Sequence, residues 1–223
     1  MKNFILAIIL LLPFFAVSQE KSKVVGETTI RRVSVGVELF QDFWMNKPEG
    51  IDVRAINQGG GAFVMYNAPL GKSPLTFSIG AGLGFHNLYS NSLIDDIKAD
   101  TITFSPINDT IDYKRSKLGL TYLDFPIELR LVTKDKFRVA VGVKLGYLLD
   151  AKTKYKGENA AGDLVTIKTR KVDQIDKFRF GPTLRIGYDW FQVMGYFSVT
   201  QIFEKGLGPE VYPISVGITL MPF

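Results

Sequence analysis

From position 137 to 150 the chain alternates. Phe137, Val139, Val141, Val143, Leu145, Tyr147 and Leu149 are apolar, and Arg138, Ala140, Gly142, Lys144, Gly146 and Asp150 fill most places between them. A period of two predicts a β-strand with two unlike faces. Residues 118–131 carry the mirror pattern, and only Thr133-Lys134-Asp135-Lys136 joins the two runs, too short a connection for a crossover helix. The pair therefore reads as an antiparallel hairpin. The alternation also predicts strands at 32–43, with Val33, Val35, Val37 and Leu39 opposite Ser34, Gly36 and Glu38, at 56–68, and at 75–87, with Phe77, Ile79, Leu83 and Phe85 opposite Ser78, Gly80, Gly82, Gly84 and His86. It returns at 178–188, at 191–203, where Phe191, Val193, Phe197, Val199 and Phe203 share the apolar face, and at 212–223. Gly59-Gly60-Gly61 is not read as a phosphate cradle, which needs a helix after it, because Ala62-Phe63-Val64-Met65-Tyr66 continues as strand.

The occupants of the two faces separate a soluble sheet from a membrane wall. Phe137 and Tyr147 bracket an aliphatic middle, and at a strand tilt near 40° their ten-residue step spans roughly 25 Å, the height of the apolar band of an outer-membrane barrel. The other face alternates glycine and alanine with Arg and Lys, which suits the filled lumen of a narrow barrel better than a water-facing sheet. Connections are short after the second, fourth and sixth strands and longer or more varied after the others. The expectation is an all-β fold, an antiparallel transmembrane β-barrel of about eight strands with short periplasmic turns and longer extracellular loops. The same alternation fits a secreted, soluble, lipocalin-like barrel that turns its apolar face inward around a small apolar ligand. Aromatic residues at both ends of the apolar runs, and glycine opposite them, favour the membrane form.

The regions between are less regular. Residues 89–117 are polar, with strand character at 101–104 and 110–113 around Ser105-Pro106-Ile107-Asn108, the outline of a hairpin above the membrane. Residues 151–177 read as a second long polar loop with its tip at 157–163. Pro126 removes a ladder donor from the fourth strand, so a bulge or irregularity is expected there.

Residues 1–18 read as a signal peptide: Lys2, an apolar stretch over 4–15, and Ala16-Val17-Ser18 before a polar run. Twelve apolar residues are too few to span a bilayer as a helix. Cleavage is expected near Ser18, with residues 19–31 a periplasmic lead-in and 32–223 the outer-membrane β-barrel. The chain has no cysteine, so packing and hydrogen bonds alone must hold the domain. The net charge of +5 is spread among acidic residues with no basic, aromatic-interleaved stripe, which argues against nucleic acid as a partner.

Parity places Glu38, Glu128, Arg130, Arg138, Lys144, Arg179 and Arg185 inward, as a paired, hydrated charge network plugging the lumen. His86, the single histidine, is expected on the lumen side near the outer end of its strand, without a Ser or Asp constellation beside it. No catalytic or metal site and no cofactor is read from the chain. The acids Asp95, Asp96, Asp100, Asp109 and Asp112 fit no EF-hand spacing and read as a hydrated surface loop.

With Tyr122-Leu123-Asp124-Phe125-Pro126, the glycine-alternating strands and the terminal Phe223, the chain resembles the small outer-membrane barrels of Bacteroidota often labelled the PorT family, OmpX- or OmpA-like in size. The resemblance implies a non-enzymatic barrel with an anchoring, envelope or surface-interaction role, linked in some members to type IX protein secretion. The partners implied are outer-membrane lipid, secretion or envelope proteins, and the assembly machinery, which would read Phe223 as its signal. Asp100-Thr101-Ile102 and Asp109-Thr110-Ile111 resemble the acidic, hydroxyl, aliphatic sequon for O-glycosylation in that phylum, making Thr101 and Thr110 candidate sites.

Overall fold

The computed structural model describes residues 32–94, 99–108, 110–159 and 162–221. The signal peptide, the lead-in and the Phe223 assembly signal lie outside the described residues. So do Asp95, Asp96 and Asp109. The strands are β1 (Val33–Met45), β2 (Gln58–Pro69), β3 (Leu75–Tyr89), β4 (Ser92–Ile94), β5 (Phe104–Pro106), β6 (Tyr113–Val132), β7 (Phe137–Glu158), β8 (Leu164–Arg170), β9 (Phe178–Tyr188), β10 (Phe191–Phe197) and β11 (Tyr212–Leu220).

Hydrogen-bonded neighbours run β6-β3-β2-β1-β11-β10-β9-β7, and the β6–β7 pairing joins the ends into a closed antiparallel barrel of eight strands. Closure leaves no free edge in the wall. β7 pairs with β6 along most of its length, with β9 over its lower half and with β8 over its upper half. Three tight connections gather at one end, each with one residue at positive φ: Gly71, Lys136 and Asp189. The Lys136–Asp189 ion pair, 3.1 Å, ties two of these turns together.

The faces follow the alternation. Val35, Val37, Val64, Ile79, Val141, Val143, Leu184 and Val193 stand exposed on the outside. One ring of aromatics, Tyr66, Phe77, Phe137, Tyr188, Trp190 and Phe191, lies toward the short-turn end, and a second, Phe43, Phe85, Tyr147, Phe178 and Phe197, toward the long-loop end. An outer surface of this kind is solvated by acyl chains, and it reverses the inward-apolar, lipocalin-like alternative. The lumen holds the charged residues together with Phe40, Phe63, Met65, Tyr122, Met194, Tyr196 and Met221. Several rings therefore face inward, contrary to a strict division between apolar outside and charged inside. Glycine makes room for them: a Cβ on Gly36 would run into the Phe63 ring, and one on Gly59 into Phe40.

Several expectations are corrected. The irregularity expected at Pro126 is present on its β3 side, but toward β7 Pro126 lies in uninterrupted register with Lys144 and no bulge forms there. Opposite it, the β3–β6 ladder omits the Gly80 and Ala81 pairs without shifting register, because proline has no N–H to donate. The bulge sits higher, where Thr121 pairs with Asp150 but Tyr122 with Leu148, so Leu149 is the extra residue. Residues 151–158 and 164–170, expected as loop, are strand, since β7 continues to Glu158 and the chain returns as β8. The hairpin expected between 101–104 and 110–113 forms instead from β4 and β5. β10 ends at Phe197, and Phe203, expected on the lipid face, is 1% exposed inside the mouth.

Candidate functional site

Two layers of charge cross the lumen. In the one nearer the short turns, Arg185 on β9 is the hub. Its guanidinium pairs with Glu38 of β1 at 2.5 Å and with Glu128 of β6. Lys144 of β7 approaches Glu38 at 3.7 Å, and Arg130 bonds Glu128 at 2.9 Å. Arg130 also donates to Ser34 and Asn67. The Arg185 guanidinium lies over the Phe63 ring, 4.8 Å from its centre.

The second layer is organised by Arg179, also on β9. Arg179 grips both oxygens of Asp124 at 2.8 and 2.9 Å, and its other nitrogen lies 2.8 Å from His86 Nε2. His86 Nδ1 is 2.8 Å from Asp42, whose second oxygen accepts the Ser215 hydroxyl. Arg179 stacks 3.8 Å above the Tyr122 ring. Histidine thus has the acidic partner that sequence inspection did not give it. Asp42 and Asp124 were also missed, although strand parity was a sufficient signal, since both are even-numbered like Glu38 and Glu128 on the same strands.

This arrangement is not a nucleophile relay. Ser215 bonds the carboxylate instead of the imidazole, and Arg179 covers the other ring nitrogen. Among the described residues no group of acids, histidines or cysteines has metal-holding geometry. Glu38, Glu128, Arg130, Lys144, Arg179 and Arg185 are brought together with partners. Arg138 sits half-buried at the short-turn rim and makes no ion pair among the described residues. Thr101 and Thr110 are exposed on the loops.

Each cross-lumen link joins strands that are not neighbours: β9 to β1 and to β6, β1 to β3, and β7 to β1. Four buried carboxylates, Glu38, Asp42, Asp124 and Glu128, face four cations, Arg130, Lys144, Arg179 and Arg185. Two cavities beside them, bounded by described residues, are about 10 Å³ each, the space of a single water. Above, Ile102, Val172, Ile175, Ile202, Phe203 and Val211 pack with Leu88, Leu118, Leu120 and Tyr122 into an apolar cap. Loop-to-loop bonds hold the cap, including Ile102 N–H to Leu207 C=O at 2.8 Å and Asp176 N–H to Ile202 C=O at 2.9 Å. A cavity of about 310 Å³ lies at the mouth, between the inner face of the β6–β7–β8 extension and the β4–β5 hairpin.

Residues 18–204 match the family model described as an outer membrane protein beta-barrel domain. Two solved structures of Ail, the attachment invasion locus protein of Yersinia pestis, are similar to this chain. One is of the protein alone, at 10% identity and a TM-score of 0.41. The other is a complex with the heparin analogue sucrose octasulfate, at 8% identity and a TM-score of 0.40. In both, 85% of this chain and 97% of the other are covered. No curated protein matches.

Proposed function

The chain belongs to the family of outer membrane protein beta-barrel domains, and from that premise we propose that it is a non-enzymatic, non-conducting barrel that holds a rigid set of surface hairpins at the outer membrane. The observation that carries this is the filled lumen: two layers of ion pairs across the bore, water-sized voids beside them and an apolar cap over the mouth. A conduction path would need a continuous column of water, and narrow barrels fill with side chains instead. The purified protein in planar lipid bilayers is expected to show no stable porin-sized current. A steady conductance would overturn the plug.

Within that reading, the Tyr122-to-Pro126 motif and the glycine-alternating strands support a PorT-like role linked to type IX secretion. In the structure the motif is lumen wall, with Tyr122 under Arg179 and Asp124 in the second charge layer. A deletion strain is expected to retain secreted cargo inside the cell, measured as the ratio of cargo in medium to cargo in cells. An unchanged ratio would reject the secretion role and leave the barrel as described.

A further inference from the structure

The bulge at Leu149 changes what the barrel's outer face presents. Below it the outward positions of β7 are odd-numbered and apolar, ending in Tyr147, which packs on Phe178 with ring centres 5.3 Å apart. Above it the outward positions are even-numbered, and they are Asp150, Lys152, Lys154 and Lys156. Strand pairing extends each lysine into a row: Gly119, Lys152 and Arg170; Lys117, Lys154 and Lys168; Arg115, Lys156 and Thr166. The opposite face of the same three strands, with Ser116, Leu118, Thr153, Tyr155, Ile167 and Thr169, lines the cavity at the mouth, which Lys117 and Lys154 of the middle row also touch. The basic rows therefore continue the lipid-facing surface upward.

Like charges set directly across neighbouring strands repel. The carboxylates that could offset them here are few: Asp150 lies 3.4 Å from Lys152, while Arg115, Lys154, Lys156, Lys168 and Arg170 have no ion-pair partner among the described residues. Lys117, which bonds Asn87, is held below the ordinary lysine range by partial burial and by the charges of Arg115, Lys154 and Lys152. A surface with this much unbalanced charge calls for an external anion.

We propose that this face binds the phosphorylated headgroup of an outer-leaflet glycolipid. Its position argues for a membrane ligand, because the first row begins about 10 Å above the Tyr147–Phe178 pair on strands whose lower parts already face acyl chains. Its height argues for a glycolipid: the third row lies about 20 Å above that pair, beyond the headgroup layer of a simple phospholipid. Lysine stems are long enough to reach down along the wall toward phosphates at several depths. The inference depends on the long-loop end facing outward, and it is independent of the plug: a conducting channel would refute the plug and leave it standing.

The test uses the full chain folded in phosphatidylcholine nanodiscs, titrated with fluorescent rough-type lipopolysaccharide at physiological salt. The Lys154→Gln/Lys168→Gln variant removes two of the three members of the middle row, and Lys72→Gln/Lys134→Gln removes the same charge at the short-turn end. Heat-modifiable gel migration verifies that both fold. The first variant is expected to bind about tenfold or more weakly, the second within about twofold of the parent. Dephosphorylated lipopolysaccharide should bind the parent as weakly as intact lipopolysaccharide binds the first variant. Unchanged binding by that variant would overturn the proposal. So would equally tight binding of inositol hexaphosphate, which would make the ligand a soluble anion, or of phosphatidylglycerol discs, which would make it any anionic lipid.

Discussion

Replacing Arg185 by methionine is expected to destabilise the barrel by about 3–5 kcal/mol, the cost of leaving a buried charge without its partner. Arg185 is 2% exposed and, among the described residues, is the one group with ion pairs to both Glu38 and Glu128. Methionine retains much of its packing against Phe63 but leaves those carboxylates with Lys144 and Arg130 as their cationic partners among the described residues. The measurement is the urea-dependent folding equilibrium in lipid vesicles, followed by fluorescence of the two tryptophans, Trp44 and Trp190. The companion variant Glu38→Gln/Glu128→Gln/Arg185→Met removes the acids as well and should recover a large part of the loss, since buried ion pairs are often dispensable when removed whole. An Arg185→Met protein within about 1 kcal/mol of the parent would mean that water reaches the lumen freely.

The contrast between those two variants bears on why a lumen would hold charge at all. Burying ion pairs adds little net stability over a hydrocarbon core, yet Lys144–Glu38, Arg179–Asp124, Arg185–Glu38 and Arg185–Glu128 all link walls that backbone hydrogen bonds do not connect. The network fixes how opposite strands face one another across the bore. That is a rigid support for the long β6–β7–β8 extension, whose basic face would otherwise shift relative to the membrane plane.

Strand alternation made the wall legible, including the hairpins at 133–136 and 189–190, because lipid on one side and a crowded bore on the other impose opposite demands at every residue. It failed where those demands stop. Above the apolar band the outer side of β7 no longer faces acyl chains, so Lys152, Lys154 and Lys156 gave no apolar stripe and the strand read as loop. Phe203 kept the period of β10 but belongs to the cap, since a chain that leaves the wall can bury an aromatic among other loops as well as against lipid. Parity correctly turned Glu38 and Glu128 inward and would have done so for Asp42 and Asp124. Parity does not say which charges meet, because partners such as Arg185 and Glu38 are brought together by closure of the barrel.

Arginine at Val141 is expected to cost about 2–4 kcal/mol, whereas arginine at Leu164 should change stability by less than about 0.5 kcal/mol. Both positions are open to the outside, Val141 at 50% and Leu164 at 83% exposure, so a protein surrounded only by water would tolerate both changes. The difference lies in height. Val141 pairs with Leu129 on one side and Leu184 on the other, midway between the aromatic rings, where an arginine head has the farthest to reach before it meets water. Leu164 opens β8 at the tip of the extension and is already above the bilayer. The same urea titration in vesicles reads both variants, and repeating it with Arg at Val143 and at Leu149 should give a penalty that falls as the substitution climbs toward the bulge. Equal, small effects at Val141 and Leu164 would mean that the apolar outer face does not lie in lipid. The outward-facing basic rows would then lose their membrane partner as well, because they are the upward continuation of that face.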